Sequence, residues 1–186
     1  MLDGLAFQEI VASLDYLGEY FLVYATQWIN PLALQSLNRI ALELRVPWMH
    51  AAVDGPFLFV GPIFLPSGSA CYECLETRVT MNLRDATGYQ RYKQALVAGH
   101  IKEAPFHIER VLSALLAAHT AYEVLNFSLT GTSFTARKLL SIYLPTMEFS
   151  FHDILRVPGC AACSPTAERD GTELYFDMRT QLQVQV

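Results

Sequence analysis

The chain has 186 residues, a length that suits one domain of ordinary size. Hydrophobic residues make up 52% of it and charged residues 17%, against about 25% charged residues in an average soluble protein, and this balance excludes a disordered chain. The formal charge of −5, with no run of Lys or Arg, argues against nucleic-acid binding.

The longest uncharged stretches, residues 21–38 and 55–72, are interrupted by polar residues and prolines. Neither predicts a membrane-spanning helix, which needs about 20 predominantly apolar residues. The N-terminus lacks the basic segment and the small-residue cleavage site of a signal peptide. We therefore expect a cytoplasmic protein that uses its apolar excess in a subunit interface.

The first elements in chain order are a helix, a strand and a second helix. Residues 5–14 carry apolar side chains at helical spacing, and residues 20–25 form a short apolar run typical of a strand buried on both faces. Asn30 and Pro31 predict a helix N-cap followed by proline at the first helical position. The second helix has an apolar face at positions 33, 34, 37, 40, 41 and 44 and ends before Pro47.

Two short apolar runs follow, at residues 48–53 and 56–60. Asp54-Gly55 between them predicts a hairpin turn, because both central residues of such a turn need positive φ. The helix between the strands at 20–25 and 48–53 predicts that these two strands are parallel. The pattern is that of an α/β fold.

The second half of the chain predicts two helices and then two strands. The helices fall at residues 89–98 and 105–125, and the later one has apolar residues at positions 108, 111, 112, 115, 118, 122 and 125. The strands fall at residues 137–144 and 147–154, with one face of the second open to water. Residues 172–186 alternate loosely, which predicts a terminal strand.

All four cysteines fall into two CxxC pairs, Cys71/Cys74 and Cys160/Cys163. Two such pairs supply the tetrahedral four-sulfur shell that zinc prefers, and a closed shell of this kind is structural rather than catalytic. Because 85 residues separate the pairs, the metal would link two distant segments. A redox CxxC and a coincidence of buried cysteines remain as alternatives.

Motifs for other chemistries are missing from the sequence. It contains no G-x-G-x-x-G, no phosphate-binding G-x-x-x-x-G-K-[ST] and no G-x-S-x-G. His119 lies among apolar helix positions and is interpreted as a core histidine. Asp54 is interpreted as a turn residue, and Glu73 and Glu76 as solvated charges beside the zinc site. We predict no catalytic or cofactor-binding residue.

Several segments resemble one family. The order strand–helix–strand, Asn38, "VPWMHAAVDG", "GPIFLPSGSACYECLETR" and "LRVPGCAACS" are similar to the second half of the ThiF/MoeB, or ubiquitin-activating-enzyme-like, superfamily. Within it they are most similar to the ThiF-like cyclodehydratase component, the leader-peptide-binding protein of thiazole/oxazole-modified microcin biosynthesis. The resemblance covers roughly residues 18–165. It implies a shortened Rossmann-like sheet with flanking helices, in which zinc is held by Cys71, Cys74, Cys160 and Cys163.

The departures from that family bear on activity. Its adenylating members carry their nucleotide-binding residues in the first half of the fold, before the part that this chain resembles, and use an aspartate to help hold Mg-ATP where this chain has Thr26-Gln27-Trp28. Glutamine lacks the charge that magnesium favours, so we expect no ATP binding. The winged-helix segment that recognises leader peptides in this family has no counterpart here.

The resemblance implies a domain over residues 1–165 and a tail over 166–186. It favours a non-catalytic zinc-bound scaffold in ribosomal peptide modification, which docks an ATP-using YcaO-type cyclodehydratase and has no independent activity. Expected partners are a second copy of the chain, the cyclase or a missing ThiF half, with the precursor peptide as a further candidate. Two other hypotheses are a fragment of an adenylating enzyme and an unrelated zinc-stapled interaction module.

Overall fold

The structure is a computed structural model that describes residues 4–101 and 109–164. The tail over 166–186, with its predicted strand at 172–186, lies outside the described residues, as do residues 105–108 of the predicted long helix. The elements are α1 (Gly4–Ser13), a short 3-10 helix (Asp15–Glu19), β1 (Leu22–Thr26), α2 (Pro31–Leu44), β2 (Trp48–Asp54), β3 (Phe57–Phe64), α3 (Tyr72–Asn82), α4 (Ala86–Val97), α5 (Arg110–Thr130), β4 (Lys138–Tyr143) and β5 (Glu148–Asp153).

The five strands form one mixed sheet in the order β1-β2-β3-β4-β5. β1 and β2 are parallel, and the three remaining pairs are antiparallel. Helices cover parts of both faces of the sheet. The α/β class predicted from the sequence is confirmed.

The crossover between β1 and β2 begins with the predicted helix cap. The side-chain oxygen of Asn30 accepts hydrogen bonds from the backbone N–H of Leu32 at 3.0 Å and of Ala33 at 3.2 Å, and Pro31 occupies the first helical position. These bonds satisfy donors that a helix start leaves unpaired. Helix α2 ends at Arg45, whose left-handed conformation (φ 55°) turns the chain into β2.

β2 and β3 form the predicted hairpin. Its turn lies one residue later than predicted: Asp54 pairs with Phe57 in antiparallel register, so the central residues are Gly55 and Pro56 rather than Asp54 and Gly55. Gly55 adopts φ +53° there. A residue without Cβ tolerates this conformation at little cost.

β1 lies at one edge of the sheet, and it is not buried on both faces as predicted. Its burial alternates, with Leu22 and Tyr24 packed and Val23 and Ala25 exposed. An uninterrupted apolar run does not distinguish a central strand, which is covered on both faces, from an edge strand with one exposed face.

Two apolar cores lie on opposite faces of the sheet. The metal-side core packs α2 and α3 against the sheet, and its largest members include Leu34, Trp48, Phe64 and Tyr72. The α5-side core packs α5 against the central strands. Its buried members are Met49, Ala51, Val53, Leu58, Val60, Ile63, Leu116, Leu140 and Ile142. Within the described ranges, no helix combines the length and the apolar character needed to cross a membrane.

Candidate metal centre

The first cysteine pair lies at the N-terminus of α3. Cys71 is the N-cap residue, with extended backbone angles (φ −98°, ψ 179°), and Cys74 lies in the first turn. No helix was predicted from the sequence at these residues. A helix N-terminus carries a partial positive charge that favours thiolates, so the location suits metal-binding sulfurs.

Asn38 fixes the start of α3 against α2. Its side-chain oxygen accepts a hydrogen bond at 2.9 Å from the backbone N–H of Tyr72, and the residue is 1% exposed. Tyr72 lies directly after Cys71, so this bond orients the first cysteine. The sequence indicated Asn38 only through the family resemblance, because its partner is 34 residues away.

The second pair, Cys160 and Cys163, lies in turns after β5. The N–H of Cys160 donates to the carbonyl of Val157 at 3.1 Å, and the N–H of Ser164 donates to that of Cys160 at 3.0 Å. The N–H of Val157 lies 3.3 Å from the sulfur of Cys74. A backbone amide of the second segment therefore points at a sulfur of the first.

Two arginines hold the second segment in place. The guanidinium of Arg78, on α3, donates to the carbonyls of Leu155 at 2.8 Å and of Arg156 at 3.2 Å. Arg156 in turn donates to the carbonyl of Cys163. Neither arginine was predicted from the sequence, because a lone surface cation carries no pattern that reveals which distant carbonyls it meets.

The structure brings the four predicted cysteines together, and all are free thiols. Their sulfurs lie within 4.8 Å of one another. The separations are 4.0 Å for Cys71–Cys74, 3.8 Å for Cys71–Cys160 and 3.6 Å for Cys74–Cys163. A tetrahedral ion with metal–sulfur bonds of about 2.3 Å separates its sulfurs by about 3.8 Å. The arrangement fits such an ion.

Burial sets the electrostatics of the cluster. It raises the pKa of the Cys71 thiol far above its usual range and that of Cys163 to about 11. Burial acts in the same direction on Cys74, but hydrogen bonds from the N–H of Val157 and of Cys71 hold the pKa of Cys74 below its usual value. Buried thiols become thiolates readily when a cation compensates their charge. The set therefore suits a sulfur-preferring metal ion.

The other singled-out residues lie elsewhere in the fold. Asp54 is exposed and is the last residue of β2, directly before the turn at Gly55-Pro56 rather than within it. His119 is half-buried against the ring of Phe149, with 5.5 Å between the ring centroids. The interpretation of Glu76 as a solvated charge is wrong. Glu76 is 7% exposed and accepts hydrogen bonds from three partners on α2 and α4, namely Gln35, Tyr89 and Lys93.

No protein-family model and no curated protein sequence matches the chain. Solved structures do resemble it. The heterocyclase TruD is 24% identical over 88% of this chain, with a TM-score of 0.55. Escherichia coli MccB is 19% identical over 83% of it, with a TM-score of 0.58. A heterocyclase in complex with substrate and cofactor is 20% identical over 84% of it, with a TM-score of 0.58.

These resemblances establish the fold. The chain spans 26% of TruD, 42% of MccB and 23% of the complexed heterocyclase. It therefore shares the fold of one part of larger proteins. The resemblance inferred from the sequence, to part of the ThiF-like cyclodehydratase fold, is confirmed at this level.

Proposed function

We propose that the protein is a zinc-bound, non-catalytic ThiF-like subunit that docks a YcaO-type cyclodehydratase during ribosomal peptide modification. The observation that carries the proposal is a four-thiol site with tetrahedral sulfur spacing on a fold shared with the heterocyclase TruD. We assign the zinc-binding domain of this proposal to residues 1–165.

In this proposal Cys71, Cys74, Cys160 and Cys163 hold the zinc. The bound ion supplies a cross-link between the start of α3 and the segment after β5, and four sulfurs leave it no open position for water or substrate. The chain's own contribution is a rigid surface for the cyclase, which performs the ATP-dependent chemistry. A second copy of the chain, a missing ThiF half and the precursor peptide are the other proposed partners.

The test is reconstitution with a YcaO-type cyclase and a precursor peptide, which the proposal expects to be encoded beside this chain. We expect the purified chain to contain one zinc per molecule and to hydrolyse no ATP alone. Adding it to the cyclase should accelerate ring formation, read by mass spectrometry as the loss of one water per ring. Elemental analysis and an ATPase assay provide the remaining readouts.

The controls are two substitutions at neighbouring positions of α3. Cys74→Ser should abolish both zinc binding and stimulation of the cyclase, whereas Glu73→Ala should preserve both, because Glu73 contributes no sulfur. Native protein without zinc, or a cyclase that neither binds the chain nor responds to it, would contradict the proposal.

A subunit of an adenylating enzyme is the second candidate. MccB, which shares the fold, has also been solved with ATP. In the described sheet β1 is an edge strand, and Gln27, the residue directly after it, is exposed. This candidate predicts ATP–pyrophosphate exchange once a nucleotide-binding partner chain is added. Gln27→Ala should then change the exchange rate, and an unchanged rate counts against it.

A further inference from the structure

Strand β5 lies at an edge of the sheet and has two different faces. Phe149 and Phe151 pair across the ladder with members of the α5-side core on β4, so their rings lie on the same face of the sheet as that core. The rings are 46% and 49% exposed. The opposite face of β5 is polar and carries Glu148, Ser150 and His152.

The outer side of β5 has no neighbouring strand within residues 4–101 and 109–164. β5 pairs with β4 on its inner side, and alternate N–H and C=O groups of an antiparallel edge strand point away from its partner. A row of such groups is a template for a further strand. The same strand would also cover the half-exposed rings of Phe149 and Phe151.

Residues 174–186, which follow the described ranges, carry the sequence pattern of a strand with two different faces. The even-numbered positions are apolar except for Thr180, namely Leu174, Phe176, Met178, Leu182, Val184 and Val186. The odd-numbered positions carry polar groups, namely Tyr175, Asp177, Arg179, Gln181, Gln183 and Gln185. A period of two is typical of a strand with one apolar face and one face in water.

The two edges of the sheet differ in the neighbour that they fit. The other edge, β1, is apolar on both faces, since Leu22 and Tyr24 pack against the metal-side core while Val23 and Ala25 are exposed on the opposite side. A strand beside β1 needs apolar residues on both of its faces. Residues 174–186 alternate instead, as β5 does, and therefore match β5.

The direction of the chain also favours β5. Arg156, three residues after the end of β5, donates to the carbonyl of Cys163, so the described part of the chain ends beside the Asp153 end of this strand. A strand that enters from that end and runs back along β5 is antiparallel to it. Residues 165–173 reach up to about 30 Å when extended, which exceeds the length of about 20 Å of a six-residue strand such as β5.

We propose that residues 174–179 pair with β5 as a further antiparallel strand, with Phe176 opposite Phe151 and Met178 opposite Phe149. Residues directly opposite each other lie on the same face of a sheet, so the apolar side chains of this segment join the two exposed rings. The proposal concerns the edge of the sheet and does not depend on the proposed function.

Charge selects this register from its neighbours. It places Arg179 opposite Glu148 on the polar face, and opposite charges at directly opposed positions stabilise a strand pair. A shift of two residues in one direction would place Asp177 against Glu148, where like charges repel. A shift in the other direction would place Thr180, rather than an apolar residue, against Phe149.

Removal of the segment provides the first test. A chain that ends at residue 172 should exchange the backbone amide hydrogens of residues 148–153 roughly tenfold faster than the full chain, because the outer N–H groups of β5 lose their acceptors. Exchange across β1, residues 22–26, should not change. Mass spectrometry of the exchanged peptides measures both segments, and circular dichroism shows whether the shorter chain is folded.

The charge pair tests the register in the full-length chain. Glu148→Arg and Arg179→Glu each place like charges opposite one another, so each should accelerate exchange in residues 148–153 by roughly two- to fivefold. The double variant Glu148→Arg/Arg179→Glu restores opposite charges and should return the exchange rate close to that of the wild type.

The two faces of the segment provide a matched pair of substitutions, with the same new residue at adjacent positions. Phe176→Gln removes an apolar contact with Phe151 and should accelerate exchange in β5 by roughly fivefold. Asp177→Gln lies on the polar face, opposite Ser150 in the proposed register, and should leave the exchange rate unchanged.

Four results would overturn the assignment. Two concern the shortened, folded chain: residues 148–153 that exchange as slowly as in the full chain, or faster exchange in β1 instead of β5, which would assign the segment to the other edge. The third is a double charge variant that exchanges as fast as its single parents. The fourth is an equal effect of Phe176→Gln and Asp177→Gln.

Discussion

At the scale of single residues, each cysteine of the metal centre joins two segments that are distant along the chain. Cys160 is 6% exposed, and its sulfur lies 3.8 Å from that of Cys71. The binding free energy of a structural zinc, about 10–16 kcal/mol in small zinc-binding peptides, is also folding free energy. If the site holds the proposed zinc, loss of one sulfur affects the whole domain.

We predict that Cys160→Ser loses zinc and lowers the thermal midpoint by about 10 °C or more, since about 1 kcal/mol corresponds to 2–4 °C in a chain of this size. The exposed metal-side core should promote aggregation. Elemental analysis and thermal unfolding measure the two effects. Glu73→Ala is the control and should change neither. A soluble Cys160→Ser protein with its zinc and midpoint intact would refute the prediction.

His50 is the buried residue with the clearest expected pH dependence. It is 3% exposed, and its Nδ1 has no hydrogen-bond partner among the described residues. Burial lowers the pKa of His50 to about 4, from 6.5 for an unperturbed histidine. The unfolded chain therefore binds a proton at this residue between about pH 6.5 and 4 that the folded chain does not.

It follows that the stability supplied by neutral His50 is fully present above about pH 6.5 and is lost as the pH falls toward 4. We predict that the wild-type protein loses about 2 kcal/mol between pH 7 and pH 5 from this residue, and that His50→Leu removes this part of the slope. Denaturant unfolding at several pH values measures it. His100→Leu, at an exposed position, is the control, and identical slopes for wild type and His50→Leu would exclude the effect.

At the scale of elements, Glu76 joins three helices. From α3 it accepts hydrogen bonds from Gln35 on α2 at 2.7 Å and from Tyr89 and Lys93 on α4 at 2.7 and 2.8 Å. Helix α4 has no buried residue, so an apolar face contributes little to its attachment. The carboxylate therefore supplies polar contacts that hold α4 on the domain.

We predict that Glu76→Ala loosens α4 at a cost of about 2 kcal/mol, the loss of a largely buried, charge-assisted hydrogen-bond network. Hydrogen exchange should accelerate across residues 86–97 while zinc content stays unchanged. Glu43→Ala, at an exposed position of α2, is the control. Unaltered exchange in α4 would show that other contacts attach it.

Local signals explain which elements could be predicted from the sequence. Helix α2 has an Asn-Pro start and one apolar face, and the β2–β3 hairpin has Asp-Gly at its turn. Helix α3 was missed because its burial is not periodic. Its buried residues, Tyr72, Cys74, Leu75 and Glu76, are nearly consecutive, since the N-terminal end of the helix is buried rather than one side of it.

In the candidate site, too, local sequence signals predicted some residues and not others. The spacing of the four cysteines predicted their convergence, because two CxxC pairs have few other uses. The supporting contact of Asn38 spans 34 residues and one contact of Arg78 spans 78 residues. Arg156 reaches the carbonyl of Cys163, only seven residues away, but no sequence pattern marks that contact. Such pairs are set by the tertiary fold and leave no periodic trace in the chain.

At the scale of the whole molecule, the excess of apolar residues has a specific location. Large exposed apolar side chains occur on β1, on α5 and on β5, namely Val23, Val111, Tyr122, Leu125, Leu129, Phe149 and Phe151. Composition predicted a subunit interface, and periodicity predicted an apolar helix face. Neither could show that the side of α5 carrying Leu116, Thr120 and Glu123 would pack inward, so that within residues 4–101 and 109–164 nothing covers the other side.

The separation of the two cysteine pairs also has a consequence during synthesis. Cys74 and Cys160 are separated by 85 residues, which a ribosome takes about 5–15 s to add at typical rates. Until then the first pair can offer only two sulfurs to a metal. A four-sulfur site can therefore form only after all five strands have been synthesised, so an ion bound there would stabilise the sheet without directing its early assembly. During the same interval the thiols of Cys71 and Cys74 lack the burial that they have in the folded chain, and they are therefore more accessible to oxidants.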